Sequence, residues 1–169
     1  LFSWELQLKR GFRFTTLLSK EIADETLKKL SGSLMIGTEF DWEYLRILRG
    51  RPKADNEVTL EYNPMEVGLF KTIHFDKGCY MGQELISKIN KNKAVRQMLC
   101  GIVLEGNCGR VGNKLSTRTE QAIGNEVGII TSVIYVGNKT FGLGYIRTRA
   151  YEPNLKICIV DSKESFKIV

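Results

Sequence analysis

Histidine and proline are nearly absent from this sequence: one histidine, His74, and three prolines in 169 residues. A histidine-rich metal site is therefore excluded, and a Ser-His-Asp triad has a single available base. Cysteine is also sparse. Cys79, Cys100, Cys108 and Cys158 form no Cys-x-x-Cys pair and no zinc spacing, and four are too few for a disulfide scaffold. They read as mostly free thiols in a reducing compartment. The longest apolar run, 127–136, is short and is broken by Gly128, Thr131 and Ser132. It falls well below the ~18 residues of a membrane helix, so no membrane partner is expected. Glycine shows no period of three and no heptad persists, which excludes collagen and coiled coil.

What is present is ordinary globular material. Hydrophobic residues are 43% and charged residues 26%, enough for a real core in one domain or two small ones. The net charge of +6 points to an anionic partner without naming it. The chain opens on Leu1-Phe2-Ser3-Trp4, with no initiating Met and no signal-peptide pattern. The reading expects a processed product or a fragment of a longer protein.

Partial alternation over 5–14 predicts a strand with an irregularity at Gly11. Ser19 is placed to cap a helix running to Leu30, with Ala23, Leu27 and Leu30 on one face and Gly32 closing it. Leu34-Met35-Ile36-Gly37 predicts a short strand. Thr38 is placed to cap a second helix whose apolar face is Phe40, Tyr44, Ile47 and Leu48, and Gly50 and Pro52 stop it. A third helix follows Glu84, with Leu85, Ile86 and Ile89 as its buried side. After about residue 95 helical periodicity ends. Strands are predicted over 98–104, 126–136, 141–147 and 155–160, with turns at 107–113, Gly124-Asn125, Gly137-Asn138 and Pro153-Asn154. This predicts an α+β region over 1–96 and an antiparallel barrel or sandwich of five or six strands over 97–169.

The segment Lys77-Gly78-Cys79-Tyr80-Met81-Gly82-Gln83-Glu84 carries the densest chemistry. A thiol at a loop–helix junction, beside Lys77, is shifted toward thiolate. Gly78 and Gly82 permit close approach, and Gln83 and Glu84 offer hydrogen bonds to a heterocycle. The plain alternative is a tight turn around a buried cysteine. Glu66 follows the Asn63-Pro64 turn and either orients a ligand or is an exposed turn glutamate. His74 precedes Cys79 by five residues, but no third group completes a Cys-His pair. The basic run 86–96 reads as a solvated helix end, or as a surface for a polyglutamylated folate tail or an acidic partner. No basic face interleaved with aromatics appears, so the residues argue against nucleic acid.

The Cys79 segment resembles the Lys-Gly-Cys-Tyr-x-Gly-Gln-Glu signature of YgfZ-type folate-binding proteins, relatives of the glycine-cleavage T-protein aminomethyltransferase. Asp41 to Pro52 resembles the family's helix and Arg-Ile-x-x-Gly-x-Pro turn. Asn63 to Leu69 is similar to the plastid-type branch. Val95 to Gly101 resembles the approach to the C-terminal barrel, and Val127 to Ser132 its Val-Gly-x-x-Thr-Ser strand. The resemblance implies the end of a ferredoxin-like region followed by a barrel, with family members much longer at the N-terminus. It implies tetrahydrofolate as cofactor and a role in iron–sulfur cluster assembly or repair, with folate and iron–sulfur assembly proteins as partners. By spacing from Gly50, Glu57 takes the place of an aspartate that lies beside folate in the aminomethyltransferases; without that context it reads as a solvated loop residue. Asp55 stands where relatives often have Gly. The resemblance thus assigns Cys79 as the candidate catalytic thiol. It assigns Glu57, Glu66, Lys77, Gly78, Tyr80, Gly82, Gln83 and Glu84 to folate, and no residue to a metal. The rival readings are an aminomethyltransferase and a basic nucleic-acid-binding barrel. The expected setting is a monomer in an organelle, mitochondrial or plastid-like.

Overall fold

The computed structural model describes residues 2–7, 13–118, 123–150, 156–159 and 165–168. It is α+β and divides into two units, 1–38 and 39–169.

The first unit holds a hairpin and a helix. Strands β1 (Phe2–Gln7) and β2 (Arg13–Leu18) pair antiparallel from Phe2↔Leu18 to Gln7↔Arg13. The single strand predicted over 5–14 is therefore two strands, because alternation survives on both sides of a reversal. Gly11 lies outside the described residues. Helix α1 (Lys20–Leu30) follows Ser19, as the periodicity predicts. Glu21 opens it, Lys28 and Lys29 close it, and Ala23 is buried. Residues 34–37 are not a strand. Four residues with no partner strand gain no ladder, and Met35 and Ile36 are exposed.

The second unit is built on six antiparallel strands. These are β3 (Gln97–Glu105), β4 (Lys114–Arg118), β5 (Ile123–Val136), β6 (Lys139–Arg147), β7 (Lys156–Ile159) and β8 (Ser165–Ile168). They close in the order β3-β6-β5-β4-β7-β8. The seam is short, with Ile102↔Ile168 and Val103↔Lys167 its register pairs among the described residues. β5 and β6 form a hairpin across Gly137-Asn138, with Gly137 at φ 60°, the conformation tight hairpin turns need. Ile102, Leu104, Leu115, Val127, Ile130, Ile146, Cys158 and Ile159 form the inner core.

Gly124-Asn125 is not a turn; both residues lie inside β5. The β4–β5 ladder is irregular here, and a Cβ on Gly124 would stand 2.2 Å from Thr117 Oγ1. That glycine marks a close approach between strands. Pro153-Asn154 falls outside the described residues. β4 and β8 were not predicted, since β4 is short and mostly polar and β8 has only four residues.

Helix α2 (Glu39–Leu48) lies against β5 and β6. Its Ile47 packs with Ile134 and Leu143, and Tyr44 meets Phe141 edge-on at 5.6 Å. The predicted apolar face is half right. Phe40 and Leu48 are 51% and 49% exposed, because the helix meets the strands along Tyr44, Arg46 and Ile47. Helix α3 (Gln83–Lys91) begins after Gly82, and no residue on it is buried. Leu85 is exposed, and Ile86 and Ile89 are half-buried.

Candidate functional site

Two arrangements account for the residues singled out above: a buried joint centred on Glu57 and an open loop centred on Cys79.

The joint starts at Arg46 on α2. Its side chain is 4% exposed and all five of its N–H groups have an acceptor. Nε and Nη2 grip both oxygens of Glu43. Nη1 donates to the Arg51 carbonyl at 2.9 Å and to Glu57 Oε2 at 3.1 Å, and Nη2 also donates to Ser132 Oγ at 2.7 Å. Glu57 has no exposed surface. Its Oε2 accepts from the Lys53 backbone N–H at 2.9 Å, and its Oε1 accepts from the hydroxyls of Thr131 and Ser132, both at 2.6 Å.

Consecutive strand residues normally face opposite sides of a sheet. Here Ile130 pairs with Gly144 and Ser132 with Leu143, so Thr131 is one residue extra. This bulge brings both hydroxyls onto one carboxylate. The Val-Gly-x-x-Thr-Ser pattern thereby acquires a physical cause. Its glycine, Gly128, crosses β6 so closely that a Cβ would lie 2.3 Å from the Tyr145 carbonyl oxygen.

Tyr145, also fully buried, donates its hydroxyl to the Glu57 backbone carbonyl at 2.7 Å and stacks on Tyr62 with centroids 3.6 Å apart. Burial, then the neighbouring Tyr62, Glu57 and Glu66, push its phenol well above the usual range. Burial opposes the charge of Arg46, but Glu43 and Glu57 outweigh it and hold the guanidinium more firmly protonated. The hydrogen bond from Arg46 keeps the Glu43 carboxyl below its ordinary range.

Glu66 is buried as well. Its Oε2 accepts from the Asn63 N–H at 3.2 Å, while Asn63 Oδ1 accepts from the N–H groups of Met65 and Glu66. This reciprocal capping box stabilises a single turn. The Glu66 carbonyl then accepts from Leu99 N–H at 2.9 Å, tying the turn to β3.

The loop is different in character. Cys79 is exposed, as are Lys77, Gly78, Gly82 and Glu84. Gly82, at φ 83°, is the residue before α3, so Cys79 stands three positions ahead of the helix cap. The helix field fades within a turn, so Cys79 lies ahead of its reach and not at the helix start that the sequence suggests. Lys77 Nζ sits 4.6 Å from the centroid of the Tyr80 ring, and Gln83 Oε1 accepts from Tyr80 N–H at 3.3 Å. The Tyr80 hydroxyl is buried with no hydrogen-bond partner among the described residues. His74 is exposed and accepts from Asp76 N–H. No cluster of three metal-ligating side chains occurs among the described residues.

The orphaned Tyr80 hydroxyl and the glycine-flanked loop fit a reduced folate. The Glu57 carboxylate is fully engaged by the chain itself. Sequence reasoning did not single out Arg46, Tyr62, Thr131, Ser132 or Tyr145 as site residues. The Thr-Ser pair interrupting the apolar run of β5 was the one available signal.

No family model matches the sequence. It is similar to a chloroplastic protein of Arabidopsis thaliana that is a transferase by name, 38% identical over 143 residues, which is 81% of this chain and 31% of that protein. It is 30% identical over 115 residues to the tRNA-modifying protein YgfZ of Buchnera aphidicola, 66% of this chain and 36% of that one. YgfZ of Yersinia pestis is 30% identical over 101 residues, 59% of this chain and 30% of its own length. The chain spans about a third of the length of these curated relatives.

Proposed function

The chain belongs to the YgfZ-type family over the stretch it shares with those proteins, and from that premise we propose that it forms part of a tetrahydrofolate-binding accessory protein for iron–sulfur cluster assembly or repair. Its YgfZ relatives are named for tRNA modification and its Arabidopsis relative for the chloroplast. The reading extends both settings to this chain: a plastid protein that supports the modification of tRNA.

The observation that carries the reading is the Lys77–Glu84 loop. It holds an exposed thiol beside a buried phenol hydroxyl that has no partner among the described residues. A buried hydroxyl without a partner is costly, and a ligand with a donor and acceptor edge removes that cost. Tyr80, Gln83 and Glu84 are the residues that would hold such an edge. Gly78 and Gly82 keep side chains out of its way, and Lys77 offers positive charge to a carboxylate tail. Glu57 and Glu66 act behind this loop in the reading, holding the 46–66 segment on the strands. Tetrahydrofolate, when bound, supplies a reduced pterin able to carry one-carbon units. The Cys79 thiol is the chain's nucleophilic group at the mouth of the loop.

Calorimetric titration with tetrahydrofolate tests this, with a full-length YgfZ relative as positive control and a polyanion as negative control. Saturable binding is expected, weaker than the relative's. Tyr80→Phe should weaken it about tenfold, the worth of one hydrogen bond to a buried group. No heat above the polyanion control, in a chain whose relative binds, overturns the reading.

A further inference from the structure

The fold assembles a basic surface that the sequence keeps in two pieces. The first is the end of α3 and the residues after it: Lys88, Lys91, Lys93 and Arg96, all exposed. The second is Arg147 and Arg149, about fifty positions on and also exposed. The backbone joins them. Gln97 pairs with Arg147 in the β3–β6 ladder. Thr148 then donates its N–H to the Arg96 carbonyl at 2.9 Å and its hydroxyl to the Val95 carbonyl at 2.8 Å. At the other side, Ala94 N–H donates to the Ile89 carbonyl at 3.0 Å, closing the C-terminal turn of α3 just ahead of β3.

The two stretches that carry these cations, 85–104 and 127–151, contain no aspartate or glutamate, with Glu84 and Glu152 standing just beyond them in sequence. Among the described residues none of the six cations has an ion-pair partner. The helix dipole explains a lysine or two at the end of α3. It explains neither Arg147 nor Arg149, which belong to another element. Like charges brought together by these backbone links repel one another, and the arrangement is stabilised when an extended anion lies across it.

We propose that this surface binds the phosphate backbone of a structured RNA, a partner the sequence argues against because its cations lie in two separate stretches with no interleaved aromatics. The choice of RNA over other polyanions rests on the functional reading above, in which the chain supports tRNA modification; the surface itself rests on the geometry alone. Cations held on separate elements suit a backbone with regularly spaced phosphates, and the contacts position the RNA without reading its sequence.

Fluorescence anisotropy of a labelled, unmodified tRNA transcript tests the proposal across 50–200 mM salt. If most of the six cations meet phosphates, the slope of log K against log salt is about −3 to −5. The triple variant R96A/R147A/R149A should bind at least tenfold more weakly and flatten the slope by about 2 to 3. R147K/R149K, which keeps the charge, should retain binding. K71A/K139A, which removes two exposed lysines elsewhere, should change little. Equal losses in K71A/K139A and the triple variant overturn the proposal, because the attraction is then diffuse. Displacement of the transcript by polyglutamate at equal charge concentration overturns it in favour of an acidic polypeptide. Calorimetry with tetrahydrofolate on the same triple variant separates the two readings. Folate binding that survives while RNA binding was never present rejects the surface alone, and the reverse rejects the folate site alone.

Discussion

Single residues here are fixed by atoms that leave no room or no freedom. Gly128 is the clearest case, since any Cβ there collides with the Tyr145 carbonyl, which is backbone and cannot swing aside. Gly128→Ala should cost at least the roughly 1–3 kcal/mol of an overpacked core, read as a lower denaturant midpoint at unchanged slope. Glu43 sets a pH dependence. Its carboxyl is held below its ordinary value of 4.5, chiefly by the Arg46 hydrogen bond. A lowered carboxylate stabilises the fold above the unfolded value and loses that contribution as pH falls through the folded one. Stability should therefore decline below about pH 4.5, and Glu43→Gln should remove part of the decline in an acid unfolding series. Residues of this kind were partly legible. Glu57 drew notice only through the resemblance, and its burial among Arg46, Thr131 and Ser132 joins positions up to 86 apart, which no local pattern encodes.

Elements were most legible where periodicity was long. α1, α2, β3, β5 and β6 follow the sequence pattern closely, whereas β4, with Leu115 as its one large apolar residue, left no alternation to read. α3 starts within two residues of its expected place, but Cys79 is not at the loop–helix junction, because of the two glycines around it only Gly82 takes the left-handed conformation at the helix cap. The order of thiol reactivity follows from the elements. Cys79 sits on an exposed loop, Cys108 and Cys100 are half-buried, and Cys158 is in the inner core. Burial pushes the Cys100 thiol up. Alkylation followed by mass spectrometry should label Cys79 first between pH 6 and 8, with Cys158 last. Labelling of Cys108 ahead of Cys79 would remove Cys79 from the proposed chemistry.

At the scale of the molecule, the strand ring and its 39–96 cover are locked by polar groups rather than by apolar area alone. We propose that residues 97–169 retain antiparallel structure when separated from the cover, the boundary the change of texture near residue 95 suggests. Such a fragment would leave Thr131, Ser132 and the Tyr145 hydroxyl without Glu57. Its far-ultraviolet circular dichroism should stay β-rich while its melting temperature falls below that of the whole chain. Limited proteolysis should cut within 86–97. The joint also has a consequence in time. The β5–β6 hairpin closes over two residues, but Glu57 must find hydroxyls 74 and 75 positions away. Contacts so distant in sequence bear a large closure cost and form late. Glu57→Gln, which leaves Arg46 with a buried charge half matched, should cost about 3–5 kcal/mol. In stopped-flow experiments nearly all of that loss should appear as faster unfolding, a hundredfold or more, with the refolding rate hardly changed. The bulge at Thr131 would then act as a latch that holds the native state in place long after the strands have found one another.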